Sequence, residues 1–265
     1  MKILLTGAHG FVGARIAQYA DVTPSPSLRD MDADDIKALV ARCAPDVIIH
    51  TAAISDIAAC EADPEASRRA NVELPLWLAK TGVKCVMFST DQVYGGSAQD
   101  GPYVEGDAAP ANTYARHKLE MERRVLDANP DCVLLRATWM YDMPICGLPN
   151  RGNFLVNMLR ARRGGIAFPF RQYRGLTYAR EVAEQVLNAA RAPGGVYNFG
   201  SENTLTMAQT ARWLSDALGL AIEVSDAGER HNLWMNCEKA RAQGIAFEDA
   251  LGGLKRCIAD YGLQG

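Results

Sequence analysis

The 265-residue sequence lacks the features that mark several large classes of protein. Its seven cysteines include no Cys-x-x-Cys pair, so neither a metal site nor a disulfide framework is indicated. The formal net charge of -3 gives no reason to expect a nucleic-acid partner. No apolar run is long enough for a membrane helix, and the first residues lack the order of a signal peptide. These absences favour a cytoplasmic protein with reduced thiols.

The first motif that is present is a glycine-rich turn. A short apolar run, Lys2 to Thr6, precedes it, and an amphipathic segment, Phe11 to Tyr19, follows it. Glycines at every third position between a strand and a helix are typical of turns that bind the pyrophosphate of a dinucleotide. The helix N-terminus directs its free N–H groups towards the phosphates. The cofactor-binding residues predicted here are Gly7, Gly10, Phe11, Val12 and Gly13.

The segment after this helix is expected to select the cofactor. Asp21 to Thr23 is a short, poor strand, and Pro24 to Ser27 has the composition of a loop. An acid at the end of such a strand binds the ribose hydroxyls of NAD, whereas Ser or Arg accommodates the 2′-phosphate of NADP. Asp21 favours the first alternative, so NAD and NADP both remain open, with NADPH as the first choice. The residues that favour NADP are Ser25, Ser27 and Arg29. The residues expected beside the adenine are Asp30 and Met31.

Strands and helices alternate through the first half of the chain. Strands are predicted at 47–50, 83–89 and 132–136, and helices at 34–43, 64–81 and 112–128. This alternation predicts an α/β fold with a doubly wound, parallel Rossmann sheet. His50 lies within its strand, which favours a structural role over a catalytic one. Small residues beyond that strand would let a dinucleotide lie across its end. These residues are Ala52 and Ala53.

A tyrosine and a lysine four residues apart supply the clearest catalytic signal. Tyr114 and Lys118 fall on one face of a predicted helix, where the ammonium can favour the phenolate. Thr90 follows a predicted strand and can share the proton of the phenol. This is equipment for proton transfer during hydride transfer to a carbonyl. A lone Tyr-x-x-x-Lys pair is a weak signal, but the glycine turn adds a place for the hydride donor.

The pattern changes after Tyr141. A loop rich in Pro and Gly leads to a predicted helix at 154–163 and then to Arg171-Gln172-Tyr173-Arg174. That segment suits either an anionic, aromatic ligand such as a nucleotide sugar or a solvated basic loop. We expect residues 1–139, joined by 176–198, to form the dinucleotide-binding domain. Residues 140–175 and 199–265 are expected to form a smaller, mostly C-terminal substrate domain.

Together these motifs resemble the extended short-chain dehydrogenase/reductase family and, within it, the dTDP-4-dehydrorhamnose reductases. The resemblance covers nearly the whole chain through Thr6–Gly13, Pro45–Ala53, Ser89–Tyr94, Tyr114–Lys118, Leu135–Tyr141 and Thr177–Val182. It implies a catalytic triad of Thr90, Tyr114 and Lys118, in which Tyr114 and Lys118 also contact the cofactor. The substrate-binding residues that it implies are Thr90, Asp91, Gln92, Trp139 and Arg174.

Two departures from the family pattern bear on function. The chain is shorter than is usual, chiefly between the first helix and the second strand, and Gln92 stands where tyrosine is common. Related 4,6-dehydratases use an acid at this place, and an amide cannot transfer a proton in its stead, so dehydration is disfavoured. We predict an NAD(P)H-dependent reductase of a small-molecule, nucleotide-linked keto-sugar, with a homodimer as a further expectation. The alternatives are a regulatory subunit with a bound cofactor and an NAD-dependent epimerase.

Overall fold

The computed structural model describes residues 1–148, 152–161, 164–169 and 171–263. Six parallel strands form the central sheet, and its order is β10-β5-β4-β3-β1-β2. The strands of the chain are β1 (Ile3–Thr6), β2 (Thr23–Pro24), β3 (Val47–His50), β4 (Lys84–Thr90), β5 (Val133–Ala137), β6 (Trp139–Tyr141), β7 (Gly165–Phe168), β8 (Tyr173–Arg174), β9 (Leu176–Tyr178), β10 (Gly195–Phe199), β11 (Glu223–Asp226) and β12 (Asn232–Leu233). The predicted α/β fold with a parallel, doubly wound sheet is confirmed.

Helices cover both faces of this sheet. They are α1 (Phe11–Tyr19), α2 (Ala33–Cys43), α3 (Ile57–Ala62), α4 (Pro64–Arg68), α5 (Leu74–Ala79), α6 (Thr113–Ala128), α7 (Phe154–Ala161), α8 (Ala179–Ala189), α9 (Met207–Ala217), α10 (Glu238–Arg241) and α11 (Ala250–Tyr261). Successive strand residues point to opposite faces, so Leu5 packs against Ile16 and Val182, whereas Leu4 packs among residues such as Ile36. The strand order reverses between β1 and β3, and ligands of such sheets bind at the carboxyl ends near that point.

The long helix expected at 64–81, which Pro75 could kink, is helical from Pro64 to Ala79 but is not uniform. α4 comes first, a π-helical turn occupies Arg69–Glu73, and α5 follows. Pro75 lies in the first turn of α5. Proline is tolerated there because the N–H that it lacks needs no helical partner, so the wide turn takes the place of a kink. Asn71, in the π turn, is buried and donates from Nδ2 to the Ile54 carbonyl at 2.9 Å.

The second strand also differs from the expectation. β2 contains Pro24, which the composition had placed in a loop, and Asp21 lies before the strand rather than at its end. β2 is an edge strand of the sheet. Proline is tolerated there because an edge strand has a neighbour on one side only, so the missing N–H need not break a hydrogen bond between strands. α7 ends at Ala161, and the last two positions of the predicted helix, 162–163, lie outside the described residues.

Three small parallel sheets lie apart from the central one: β6 with β9, β7 with β11, and β8 with β12. A separate apolar cluster that includes Tyr141, Phe154 and Leu254 packs against the first two of these sheets. β10 returns to the central sheet beside β5. The division into two domains stays a prediction. Among the described residues, no helix combines the length and apolar composition that crossing a bilayer requires.

Candidate active site

The glycine turn between β1 and α1 leaves no room for side chains. Gly7 has a φ of +74°, and a Cβ at this position would lie 2.7 Å from the Ala52 nitrogen. A Cβ at Gly13 would lie 2.2 Å from the Gly7 carbonyl oxygen. That same carbonyl accepts a hydrogen bond from the Gly10 nitrogen at 2.8 Å. Glycine is therefore required at Gly7 and Gly13 for the turn to close.

The N-terminus of α1 has the character of an anion site. Its cap residue, Gly10, has no side chain to accept from the first N–H groups, and the first turn carries no acid. Unpartnered N–H groups and the positive end of the helix dipole favour a phosphate at this place. Phe11 and Val12 are half-buried beside it, as is Ala52, while Ala53 is exposed at the end of β3. These residues fit a dinucleotide whose pyrophosphate lies at the turn.

The region expected to select the cofactor lies directly after β2. The Ser25 nitrogen donates to the Leu5 carbonyl at 2.8 Å, which places Ser25 beside the end of β1. Arg29 and Asp30 are exposed, and Met31 packs partly into the apolar cluster of α2. Because Asp21 precedes the strand, it is not placed as the acid that would bind ribose hydroxyls. The segment at the carboxyl end of β2 is instead Ser25 to Arg29.

The catalytic candidates come together at the carboxyl end of β4. Tyr114 and Lys118 lie on the buried face of α6, with 7% and 2% of their surface exposed. The Lys118 ammonium donates to the Phe88 carbonyl at 2.8 Å and lies 6.0 Å from the centre of the Tyr114 ring. Thr90, the last residue of β4, is buried; its hydroxyl accepts from the Gln92 nitrogen at 3.2 Å and lies close enough to Tyr114 to lower the pKa of the phenol. The structure therefore brings the three predicted residues into one constellation.

Burial sets the ionisation of this constellation. It raises the pKa of Tyr114 above its usual range, and the nearby Thr90 hydroxyl offsets part of that rise. The expectation that Lys118 would lower the pKa of Tyr114 is therefore wrong in net effect. Burial also lowers the pKa of Lys118 to about 8, against the opposing charge of Glu122. At neutral pH the pair is a neutral phenol beside an ammonium, which is the form that donates a proton.

A charged network beneath the site escaped the sequence analysis. The Arg136 guanidinium lies 2.6 Å from the Glu122 carboxylate, and both side chains are buried. Ser89 donates to the same carboxylate at 2.5 Å, and Arg136 donates to the Tyr94 hydroxyl at 2.8 Å. These contacts join α6, the helix that carries Lys118, to β4 and β5. The signals that could have found it are an arginine inside an apolar strand and a glutamate four residues after Lys118.

On the substrate side, Asp91 and Arg174 bind each other. The Arg174 Nε lies 2.7 Å from one Asp91 oxygen, and Nη2 lies 3.0 Å from the other. The guanidinium carbon lies 5.3 Å from the centre of the Trp139 ring, in β6. Arg174 is thus held against Trp139 rather than carried on a solvated loop. Gln92 is half-buried next to Asp91, in the short helical turn Asp91–Tyr94.

A cavity of about 240 Å³ is lined in part by Tyr173, the residue that precedes Arg174. Trp234 also lines it, and the rings of Tyr173 and Trp234 stack with centroids 6.0 Å apart. Arg230 also lines it and forms an ion pair with Asp100. Aromatic planes next to cationic groups suit a base and a diphosphate.

His50 lies close to Lys118 but is buried in the sheet. Its Nδ1 forms a 2.7 Å hydrogen bond with the Thr6 hydroxyl. Burial, followed by the charge of Lys118, lowers the pKa of His50 to about 3, so the ring is neutral at any physiological pH. A ring without a proton to exchange near neutrality fits a structural role.

A family profile described as "RmlD substrate binding domain" matches residues 1–239. The dTDP-4-dehydrorhamnose reductase of Burkholderia thailandensis is 33% identical over 226 residues, which span 76% of this chain and 73% of that protein. The chain belongs to the dTDP-4-dehydrorhamnose reductase family, within the extended short-chain dehydrogenases/reductases. The range that the family profile matches includes the glycine turn and Tyr114 of this family member.

Two solved structures share this fold. The dTDP-4-dehydrorhamnose reductase ortholog of Clostridium acetobutylicum superposes with a TM-score of 0.86 at 22% identity, over 99% of this chain and 100% of that one. The dTDP-4-dehydrorhamnose reductase of Bacillus anthracis, solved in complex with NADP, has a TM-score of 0.83 at 20% identity and covers 98% and 99% of the two chains. At these identities the likeness concerns the fold of the family.

Proposed function

We propose that this chain is an NADPH-dependent reductase of a nucleotide-linked keto-sugar and acts on the C4 carbonyl of a dTDP-linked 4-keto-6-deoxysugar. The observation that carries the proposal is the buried group of Thr90, Tyr114 and Lys118 at the carboxyl end of β4. It lies beside a glycine turn that fits a dinucleotide. Matched relatives carry the name of this activity, which supports the choice of substrate.

In this mechanism Tyr114 donates the proton and Thr90 hydrogen-bonds the oxygen that gains charge. A bound nicotinamide would supply the hydride to the carbonyl carbon. As the C–H bond forms, the carbonyl π electrons move to oxygen, which takes the phenolic proton of Tyr114. The raised pKa of Tyr114 keeps that proton in place until it is needed. Lys118 would hold the nicotinamide ribose, and it carries the positive charge that balances the phenolate left behind.

NADPH is the proposed cofactor because Ser25 to Arg29, and not Asp21, follows the carboxyl end of β2. Serine and arginine at this place accommodate a 2′-phosphate, whereas NAD is favoured by an acid. The NADP complex of the Bacillus anthracis reductase, which has the same fold, agrees with this choice. The aromatic cavity beside Arg174 is the proposed location of the nucleotide end of the substrate.

The test is a titration of the purified protein with NADPH and with NADH, followed by an oxidation assay with dTDP-4-keto-6-deoxy-L-mannose. We expect tighter binding of NADPH and sugar-dependent oxidation that yields one equivalent of NADP⁺ per sugar reduced. An epimerase would show no net oxidation of added NADPH. A regulatory subunit would bind the cofactor without turnover, and either result would reject the proposal.

A cytoplasmic location and a homodimer are part of the same proposal. All seven cysteines are unpaired thiols, which suits a reducing compartment. Tyr19 and Tyr261 are exposed on neighbouring helices, and Arg180 contacts both α1 and α11 between them. Exposed aromatic residues on adjoining elements favour a protein contact. Light scattering checks this, with a mass of twice the 28.8 kDa chain expected.

A further inference from the structure

A buried ion pair joins the glycine-turn helix to the segment that follows β6. Arg15 in α1 is 4% exposed, Asp142 is 2% exposed, and the Arg15 Nε lies 2.7 Å from the Asp142 carboxylate. A buried pair adds little net stability, because the loss of hydration offsets the attraction of the charges. The pair is therefore more informative about the relative positions of the segments that it joins than about stability.

The Arg15 guanidinium contacts both sides of this junction at once. One terminal nitrogen donates to the Phe11 carbonyl at 2.8 Å, and the other donates to the Met143 carbonyl at 2.6 Å. Its central carbon lies 4.0 Å from the centre of the Phe11 ring. Phe11 begins α1 next to the phosphate turn. One planar group therefore fixes the start of α1 against the Asp142–Met143 segment, a geometry that lysine cannot reproduce.

Asp142 extends this constraint to the substrate side. Its other carboxylate oxygen accepts from the Tyr261 hydroxyl at 2.7 Å, and its carbonyl accepts from Asn153 at 2.8 Å. Asp142 directly follows β6, the strand that begins with Trp139. Trp139 in turn packs against the guanidinium of Arg174. Arg15, Asp142 and the backbone of β6 thus link the phosphate turn to the wall of the proposed sugar site.

We propose that Arg15 is a positioning residue that couples the phosphate turn to the Trp139 wall, so that cofactor and nucleotide sugar each raise the affinity for the other. This inference rests on the proposed reductase function. A cofactor that orders the start of α1 also orders the Asp142–Met143 segment through Arg15. Such coupling is reciprocal: each ligand changes the affinity for the other by the same factor. That factor is about 5-fold to 150-fold in proteins, and we expect about tenfold here.

The experiment measures the coupling itself. Calorimetric titration gives the Kd of dTDP-L-rhamnose, the expected product, with and without saturating NADP⁺. The variant is Arg15→Lys, which keeps a positive charge beside Asp142 but cannot reach both the Phe11 and the Met143 carbonyls. The matched control is Arg241→Lys, which alters a half-exposed pair with Glu202 that contacts neither α1 nor Asp142. NADP⁺ should tighten sugar binding about tenfold in wild type and control, and less than about twofold in Arg15→Lys.

Each outcome decides the inference. Wild-type coupling in Arg15→Lys overturns it and leaves the reductase proposal standing, even if the melting temperature falls. A wild-type protein that binds neither NADP⁺ nor dTDP-L-rhamnose overturns both. If Arg15→Lys fails to fold, the double variant Arg15→Gln with Asp142→Asn replaces it, because that variant removes both charges together. The inference then predicts the same loss of coupling in the double variant, and retained coupling would overturn it.

Discussion

The two sides of the candidate site are assembled over different distances along the chain. On the hydride side, Lys118 reaches a carbonyl only 30 residues away, and Tyr114 lies on the same helix. On the substrate side, Arg174 binds Asp91 across 83 residues, and the pair of Arg15 and Asp142, which joins the two sides, spans 127. Residues that one helix and one strand bring together can be recognised from their spacing in the sequence. Residues that contacts between distant segments bring together can be recognised only in the folded protein.

The largest effect is expected on the hydride side, from Tyr114→Phe. Loss of the phenolic proton donor should lower kcat by about a hundredfold or more, the usual scale of general acid catalysis. Binding of NADPH should remain nearly intact, because the ring stays in place. Tyr103→Phe is the control, since that buried hydroxyl only donates to the Gln99 carbonyl. Steady-state kinetics and fluorescence titration check both values, and near-normal turnover in Tyr114→Phe would sink the catalytic assignment.

A smaller effect, chiefly on KM, should follow from Arg174→Lys on the substrate side. Lysine keeps the charge but loses the two-point contact with Asp91 and the planar packing against Trp139, which should raise KM about tenfold. kcat should change less, because Tyr114 and Lys118 are untouched. Arg124→Lys, in a surface pair with Glu120, is the control. Should kcat fall while KM holds, the division of the site into two sides would be wrong.

Arg29→Ala sharpens the same comparison at the cofactor. Removing an exposed cation should weaken NADPH about fivefold, because a solvated charge contact contributes only modest energy. NADH, which lacks the 2′-phosphate, should bind as before. Arg42→Ala, in the last turn of α2, provides a control of equal charge change. Equal losses for the two cofactors would remove Arg29 from the 2′-phosphate site.

A separate effect, on stability and not on activity, is a pH dependence that is centred on Glu181. Burial raises the pKa of Glu181 from 4.5 to about 7. Its Oε2 and the Tyr141 hydroxyl both lie beside Gly253, and neither has a hydrogen-bond partner among the described residues. A folded pKa above the unfolded one contributes stability that is full below pH 4.5 and is lost as pH rises through about 7.

The free energy of unfolding should therefore fall by about 3 kcal/mol between pH 4.5 and pH 8, over and above the other groups. Denaturant titrations at several pH values measure this slope. Glu181→Gln should flatten it, whereas Glu184→Gln, which alters a half-exposed partner of Arg256, should not. An unchanged slope in Glu181→Gln would place the titration elsewhere.

The sheet and the hydride side were predictable from sequence for physical reasons. Strands buried on both faces leave continuous apolar runs, and a turn that only glycine fits leaves a regular spacing of glycines. The grouping of Thr90, Tyr114 and Lys118 followed because each lies at the end of a strand or on one face of a helix. The π turn near Asn71 left no signal, since a single extra residue per turn barely alters apolar periodicity.

The pairing of Asp91 with Arg174 was not predictable, although both residues had been expected at the substrate. β8 has two residues, too few to show any periodicity. The raised pKa of Tyr114 was missed for a related reason. Spacing places Lys118 near the phenol, but the depth of burial, which outweighs that charge, depends on packing from the whole fold.

The most direct test follows the hydride itself. The protein is supplied with NADPH that carries deuterium at the transferred position of C4 and with dTDP-4-keto-6-deoxy-L-mannose, and the product is analysed by mass spectrometry and NMR. The account predicts one deuterium at C4 of the sugar in the wild type, and a rate about a hundredfold lower in Tyr114→Phe. A sugar that is converted without deuterium from added NADPH, or labelled at another carbon, would contradict it.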